Sequence, residues 1–506
     1  MFNDQKQLGT ALATAFLIAL PAMMATRLVE YDEAIFLDVA RNIQQTGLPI
    51  RSIGQKGIFF FDHTPLYVYL LSLAPVSSTT GVPFARLATM ACGLGSIWLV
   101  FLIGKRIAGT QSGFAAALLL ALNPFFALYS FFVRMEVPMV FWSLLGLLLI
   151  MTNEGDQRPM RLALAGLALA VAVLLKEVAL LIVGYSVVYM LLVGNHNRRW
   201  LWKEAVLIGT PTVVALAGWA IWCWQLSPST FASTMSRWLN STATGRMLDP
   251  RGLISASQWA GQIALSLLGP ALTICILAIA AWSVVTRSKP RFPQQVFLWG
   301  YLMLAISFSF VVRLKELRHI ITIVPVAALL VSTTIDWHQI EVNWRQGSWR
   351  RRAAYGLVLV LVLCAASPLR IPSRFLGNVE ALVEPHYGWR IFESDRYHNA
   401  LYLAGLYLRE HTRPTEVIAV VHQAPVVGYY ANRHYEMLYT KSLQSILSVL
   451  AEADHLIWDA TVFLALDDEQ VQFIQTYVAQ HYVMEQTIHD RARQVTIYRR
   501  RDTSAQ

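Results

Sequence analysis

Long apolar runs constrain this chain more than any other feature. They recur at roughly 8–26, 84–104, 113–133, 137–152, 161–175, 177–194, 204–224, 258–286, 294–312, 319–337 and 353–369. A helix needs about 20 apolar residues to cross the hydrocarbon core of a bilayer, and only closed backbone structures are stable there. Of the 506 residues only 14% are charged, against about 25% in soluble domains. The fold class is therefore a polytopic α-helical membrane protein with about eleven spans. The first run follows a short polar head without a convincing cleavage motif and reads as an uncleaved span.

Basic residues set the orientation. The short loops that this topology turns inward carry Lys105, Arg106, Arg158, Arg161, Arg198, Arg199, Lys203, Arg287, Lys289, Arg291, Arg345, Arg350, Arg351 and Arg352. Such loops face the cytoplasm, which places the N-terminus inside and the C-terminus outside. Joining 161–175 and 177–194 into one long span would turn the later arginine clusters outward, so the break at Lys176-Glu177 is retained. The net charge of +10 follows from these loops. No basic run is interleaved with aromatics, so nucleic acid is not an expected partner. Cys92, Cys223, Cys275 and Cys364 lie in apolar runs without metal-ligand spacing, which predicts no disulfide framework.

Two segments depart from the spanning pattern. Residues 27–83 form a long first outer loop, with an amphipathic surface helix expected from Phe36, Val39, Ala40 and Ile43 and a re-entrant or surface helix over 66–74. From 371 onward apolar runs shrink to strand length. Strands are expected at 416–421, 455–458, 482–485 and 494–498, and helices at 441–453 and 467–480. That alternation predicts a small α/β domain on the outer face. The chain thus divides into a membrane domain, 1–370, and an extracytoplasmic domain, 371–506.

Ionisable residues gather where outer turns meet apolar sequence: Asp32 and Glu33; Asp62 and His63; Arg134 and Glu136; Lys176 and Glu177; and the cluster from Arg313 through Lys315, Glu316 and Arg318 to His319. Charges at the ends of membrane spans are expensive and usually functional. Carboxylates that activate a hydroxyl, together with cations that hold a phosphate, are the parts of a group transfer.

These motifs resemble the GT-C class of membrane glycosyltransferases, in particular the protein O-mannosyltransferases and the lipid A aminoarabinose transferases. Asp32-Glu33 matches the acidic pair that opens the first outer loop. Asp62-His63-Thr64-Pro65-Leu66 resembles a loop segment that precedes a surface helix, lacking one spacer and one proline. Glu136 matches a second acidic position after the third span. Leu174-Leu175-Lys176-Glu177 has Glu where Gly is usual, and a late Lys followed by Pro is met by Lys315 and Pro325. The resemblance covers roughly residues 8–340. It implies a polyprenyl-phosphate-linked sugar as donor and a lipid, glycan or protein hydroxyl as acceptor, in a bacterial inner membrane. It further implies Asp32 as base, Glu33 or Glu136 as orienting group, and Lys176, Lys315 and Arg318 on the donor phosphate. Asp62, His63, Arg134 and His319 are further substrate candidates. No cofactor is demanded; a divalent metal is left open, with Glu33 or Glu136 as its ligand. The loop 225–257, with Trp238, Arg246 and Trp259, is expected near the acceptor entrance. Two other classes stay open: a transporter or flippase of lipid-linked sugars, whose charges would sit at mid-membrane, and a membrane-anchored ligand sensor.

Overall fold

The computed structural model of the protein describes residues 9, 29, 31–55, 57–77, 81–151, 158–193, 198–244, 256–286, 293–311, 316–335, 337, 391–421, 423–438, 442–459, 466, 468–490 and 493–501. Nearly all of the expected span at 8–26, the span at 353–369, the basic residues at 287–291 and 345–352, Arg246, Lys315 and Cys364 lie outside the described residues. The chain forms two units. One combines Met1–Pro21, Asp62–Tyr67 and Arg86–Trp389; the other combines Ala22–Phe61, Val68–Ala85 and Arg390–Gln506. This division differs from a single boundary at 370/371, because most of the first loop is held by the C-terminal part.

In chain order the elements begin with α1 (Tyr31–Thr46), the antiparallel ribbon β1 (Ile50–Arg51) and β2 (Ile58–Phe59), and α2 (Leu66–Leu71). Next come α3 (Gly81–Ala108), α4 (Thr110–Ala121), α5 (Pro124–Tyr129), α6 (Glu136–Met151), α7 (Arg158–Leu175), α8 (Leu180–Val193) and α9 (Arg198–Leu226). These are followed by α10 (Pro228–Thr244), α11 (Ala256–Gln262), α12 (Gly269–Thr286), α13 (Pro293–Val311) and α14 (Ile323–Thr334). The chain closes with α15 (Ile391–His411), β3 (Val417–Val420), α16 (Ala424–Ala431), β4 (His434–Met437), α17 (Leu443–Glu452), β5 (His455–Asp459), α18 (Asp468–His481), β6 (Tyr482–Asp490) and β7 (Arg493–Arg500).

In the first unit, three helices among the described residues are long and apolar enough to cross a membrane: Gly81–Ala108, Arg158–Leu175 and Trp202–Leu226. Helix length and composition thus account for three of the about eleven expected spans, or four if the bent pair Ser257–Leu267 and Leu272–Ala281 is a single broken span. Local chemistry shortens several of the other apolar helices. Gly109, at φ +90°, separates α3 from α4. Asn123 caps α5 by accepting the Phe126 N–H at 2.8 Å, with Pro124 at the first helical position; that combination starts a new helix. Lys176 is extended, at φ −156° and ψ 125°, between α7 and a single 3₁₀ turn at Glu177–Ala179. Small residues draw α6, α7 and α9 together. A Cβ on Gly146 would meet Leu169 at 2.7 Å, and one on Gly166 would collide with the Leu207 carbonyl oxygen. This is how membrane helices pack closely without a hydrophobic driving force.

The second unit is built on a five-stranded sheet in the order β4-β3-β5-β7-β6. β3 pairs in parallel with β4 and β5, whereas β5/β7 and β7/β6 are antiparallel. Alternate residues of β3 serve opposite faces, as a two-residue period requires. Ala419 joins Ile446, Leu450 and Ile474 of α17 and α18 in one core. Ile418 and Val420 join Leu401, Ala404 and Val427 of α15 and α16 in another. The strands and the helices α17 and α18 stand within a few residues of their expected positions. β4, α15 and α16 complete the sheet and its second face.

Helix α1 is a correction to the surface helix expected from its apolar spacing. It is buried on nearly every side, including Glu33, Asp38 and Arg41. Arg41 meets the Tyr429 carbonyl and Tyr31 meets Met437 in the C-terminal part of the same unit, whereas Asp38 and Asn42 are bonded within the first loop.

Candidate active site

The first unit assembles its ionisable residues at helix ends. Glu136 stands in the first turn of α6, and Lys176 at the extended break after α7. Lys176 Nζ donates to Glu136 Oε1 at 2.5 Å, and both side chains are 2% exposed. Arg318, in the short turn Leu317–Ile320 before α14, places its Nε 3.7 Å from the same oxygen. Glu136 Oε2 is buried and has no hydrogen-bond partner among the described residues. The buried carboxylate is compensated by cations and still leaves one acceptor atom unspent.

A second pair adjoins it in sequence. His63 Nδ1 lies 3.1 Å from Glu177 Oε1 and 3.3 Å from Oε2. Thr64 Oγ1 donates to the Val173 carbonyl at 3.0 Å, in the last turn of α7. The Asp62-His63-Thr64 segment is therefore docked on the α7/α8 break. Burial alone would lower the His63 imidazole, but the Glu177 carboxylate outweighs it and lifts His63 above its ordinary value, as an adjacent opposite charge does. Glu316 receives Arg318 Nε, and His319 Nε2 lies 3.5 Å from it. Burial would raise the Glu316 carboxyl; Arg318 and His319 hold it below the usual range instead. Arg134 is buried, with its guanidinium 5.1 Å over the Tyr129 ring, a cation–π arrangement. Asp62 lies 3.5 Å from Arg237 Nη2 on α10.

The second unit carries the acidic pair. Asp32 and Glu33 occupy the first turn of α1, where carboxylates suit the helix dipole. Glu33 is fully enclosed, whereas Asp32 keeps partial exposure. Of the two, Asp32 is the more exposed.

Several expectations change at this level. Glu136 is already matched by Lys176 and Arg318, and Glu33 is sealed, so neither suits a divalent cation. Among the described residues no group of three His, Cys, Asp or Glu side chains is arranged to hold a metal ion. Trp259 is a packing residue rather than part of an entrance: it is 1% exposed and donates Nε1–H to Ser309 Oγ at 3.1 Å. Two participants were named in the sequence without a role. Glu177 partners His63, and Glu316 partners Arg318. Arg237 was missed, although it is the charged residue of an amphipathic helix in the 225–257 region.

Residues 62–224 match the family model described as dolichyl-phosphate-mannose-protein mannosyltransferase. That stretch contains Asp62, His63, Arg134, Glu136 and Lys176. No curated protein sequence matches the chain. Among solved structures, ArnT from Cupriavidus metallidurans bound to undecaprenyl phosphate superposes with a TM-score of 0.65 at 14% identity, covering 97% of each chain. The archaeal oligosaccharyltransferase AglB from Archaeoglobus fulgidus, in complex with an inhibitory peptide and a dolichol-phosphate, gives 0.57 at 12% identity over 91% of this chain and 69% of that one. The arabinofuranosyltransferase AftD from Mycobacteria gives 0.53 at 15% identity over 96% and 41%. In sequence over 62–224, and in fold over nearly its whole length, the chain is similar to the GT-C class of membrane glycosyltransferases.

Proposed function

We propose that this protein is an integral-membrane glycosyltransferase. It moves a sugar from a polyprenyl-phosphate-linked donor to a hydroxyl on a lipid, glycan or protein acceptor, at the extracytoplasmic face of a bacterial inner membrane. The observation that carries this reading is the enclosed Lys176 ammonium, held at 2.5 Å by Glu136 with Arg318 beside it, where apolar helices end. Two cations at the edge of apolar helices suit a phosphate on a lipid tail: the tail stays among the helices and the headgroup meets the charges.

The reaction is a single displacement at the anomeric carbon. The acceptor oxygen forms the new bond to that carbon as the bond to the phosphate oxygen breaks. Asp32 takes the acceptor proton, and polyprenyl phosphate leaves with the bonding electron pair. Lys176 and Arg318, with Lys315 from the same late cluster, stabilise the charge that grows on the leaving phosphate. Glu136 holds the Lys176 ammonium in place. The His63–Glu177 pair fixes the loop that precedes α2 against the same helix break.

A flippase or transporter is the weaker reading. Its ionisable residues would interrupt helices near their middles, whereas Glu136, Lys176 and Arg318 all stand at helix ends. The test of the donor site is binding of polyprenyl phosphate to purified protein. Lys176→Met should weaken it about tenfold or more, as loss of one charge-assisted contact does. Equal affinity in wild type, Lys176→Met and Arg318→Met would reject the site. Mass spectrometry of envelope glycans and lipids from a deletion strain then identifies sugar and acceptor; an unchanged envelope would contradict the transfer itself.

A further inference from the structure

Asp32 belongs to a helix that the C-terminal part of the chain holds in place, and the hold is made by buried polar contacts. Asp38, on the same helix, is fully enclosed. Its Oδ1 accepts from Arg41 Nη2 at 2.8 Å and from Ser52 Oγ at 2.9 Å, and its Oδ2 accepts the Ser52 N–H at 2.8 Å. Arg41 uses its other terminal nitrogen, Nη1, to donate to the Tyr429 carbonyl of α16 at 3.0 Å, and its guanidinium lies 5.3 Å over the Tyr429 ring. One guanidinium therefore links the catalytic helix to the C-terminal fold.

The segment after α1 continues the attachment. Arg51 Nε donates to the Tyr435 hydroxyl at 2.9 Å. The Tyr435 N–H donates to the Ser52 carbonyl at 3.1 Å, and the Gly54 N–H donates to the Tyr435 carbonyl at 3.1 Å. Residues 52–54 thus add a short parallel bridge to β4, the edge strand of the sheet. This is strand addition within a single chain. Ahead of the helix, the Val29 N–H donates to the Tyr430 hydroxyl at 2.9 Å, and the Tyr31 hydroxyl donates to Met437 Sδ at 3.2 Å. Contacts at both ends and in the middle of α1 leave it little freedom to slide or turn.

We propose that Arg41, acting with Asp38 and Ser52, is a positioning residue for Asp32, and that α16 and β4 are part of the transfer machinery because they fix the helix that carries the base. The idea rests on the reading of Asp32 as the base. A planar guanidinium that bridges a carboxylate and a carbonyl sets both distance and rotation, which a single ammonium does not. A base misplaced by about 1 Å can cost about 10²-fold in rate.

The test is a double-mutant cycle on the full-length purified protein, following sugar transfer from a polyprenyl-phosphate donor and, separately, binding of that donor. Arg41→Gln should lower kcat about 10²-fold with donor affinity unchanged, and Arg41→Lys should fall between it and wild type. Adding Arg41→Gln to Asp32→Asn should cause no further loss, because the base is already gone. Losses that multiply, or wild-type kcat in Arg41→Gln, would overturn the proposal while Asp32→Asn alone remains impaired. Full activity of Asp32→Asn would instead defeat the reading of the base. If Arg41→Gln does not fold, Ser52→Ala takes its place in the same cycle. It removes one hydrogen bond to Asp38 and must show the same absence of additivity.

Discussion

At the scale of single residues, the Lys176–Glu136 pair makes two separable demands. Removing one partner of a buried ion pair leaves the other uncompensated and costs about 3–5 kcal/mol. Lys176→Met should therefore lower the unfolding temperature in detergent, and Lys176→Met combined with Glu136→Gln should recover much of it. Donor affinity should not recover, because the cation is still missing. Wild-type binding of polyprenyl phosphate by the double variant would refute the phosphate role. His63 makes a pH-dependent contribution. Its folded-state value is raised by Glu177, so the protonated ring is favoured on folding. That stability is complete below the unfolded value of about 6.5 and is lost as pH rises through the raised folded value. His63→Gln should flatten the decline in unfolding temperature across that interval. An identical decline in the variant would place the titration elsewhere.

At the scale of elements, what could be read in advance depended on how far away the partner lies. The α7/α8 break was legible because a charged pair, Lys176-Glu177, interrupts an otherwise apolar run, and no nearby residue is needed to explain the interruption. The strands β3 and β5 were legible from short apolar runs. Helix α1 was legible as a helix but not as a buried one. Its apolar residues fit a surface stripe, and nothing local shows that Arg41 meets Tyr429, 388 positions later. The His63–Glu177 contact was hidden for the same reason, with 114 positions between them. The close packing of α7 with α9 gives a prediction of its own. Gly166→Val should destabilise the protein markedly, since backbone already fills the space, whereas Gly184→Ala, with nothing within 4 Å of the added carbon, should be neutral. Thermal unfolding of the two variants checks this; equal unfolding temperatures would contradict the packing.

At the scale of the whole molecule, most of the first loop, residues 22–61 and 68–85, forms one unit with the C-terminal sheet. They must therefore lie on the same side of any membrane that the apolar helices cross. Cysteines introduced at Gln44 and at Glu469, both exposed, should react together with a membrane-impermeant reagent added from the outside. Labelling of one without the other would contradict the shared unit, and protection of both would invert the topology. The proposed chemistry is that Asp32 removes the acceptor proton while a sugar leaves its lipid phosphate. General-base assistance contributes about 10²–10⁴-fold, and Asn keeps the shape and the helix-start preference of Asp without its basicity. The deciding measurement is transfer of a labelled sugar from a polyprenyl-phosphate donor by purified wild type and Asp32→Asn. Turnover in Asp32→Asn should be lower by about 10²–10⁴-fold with donor binding intact; wild-type turnover would show that Asp32 is not the base.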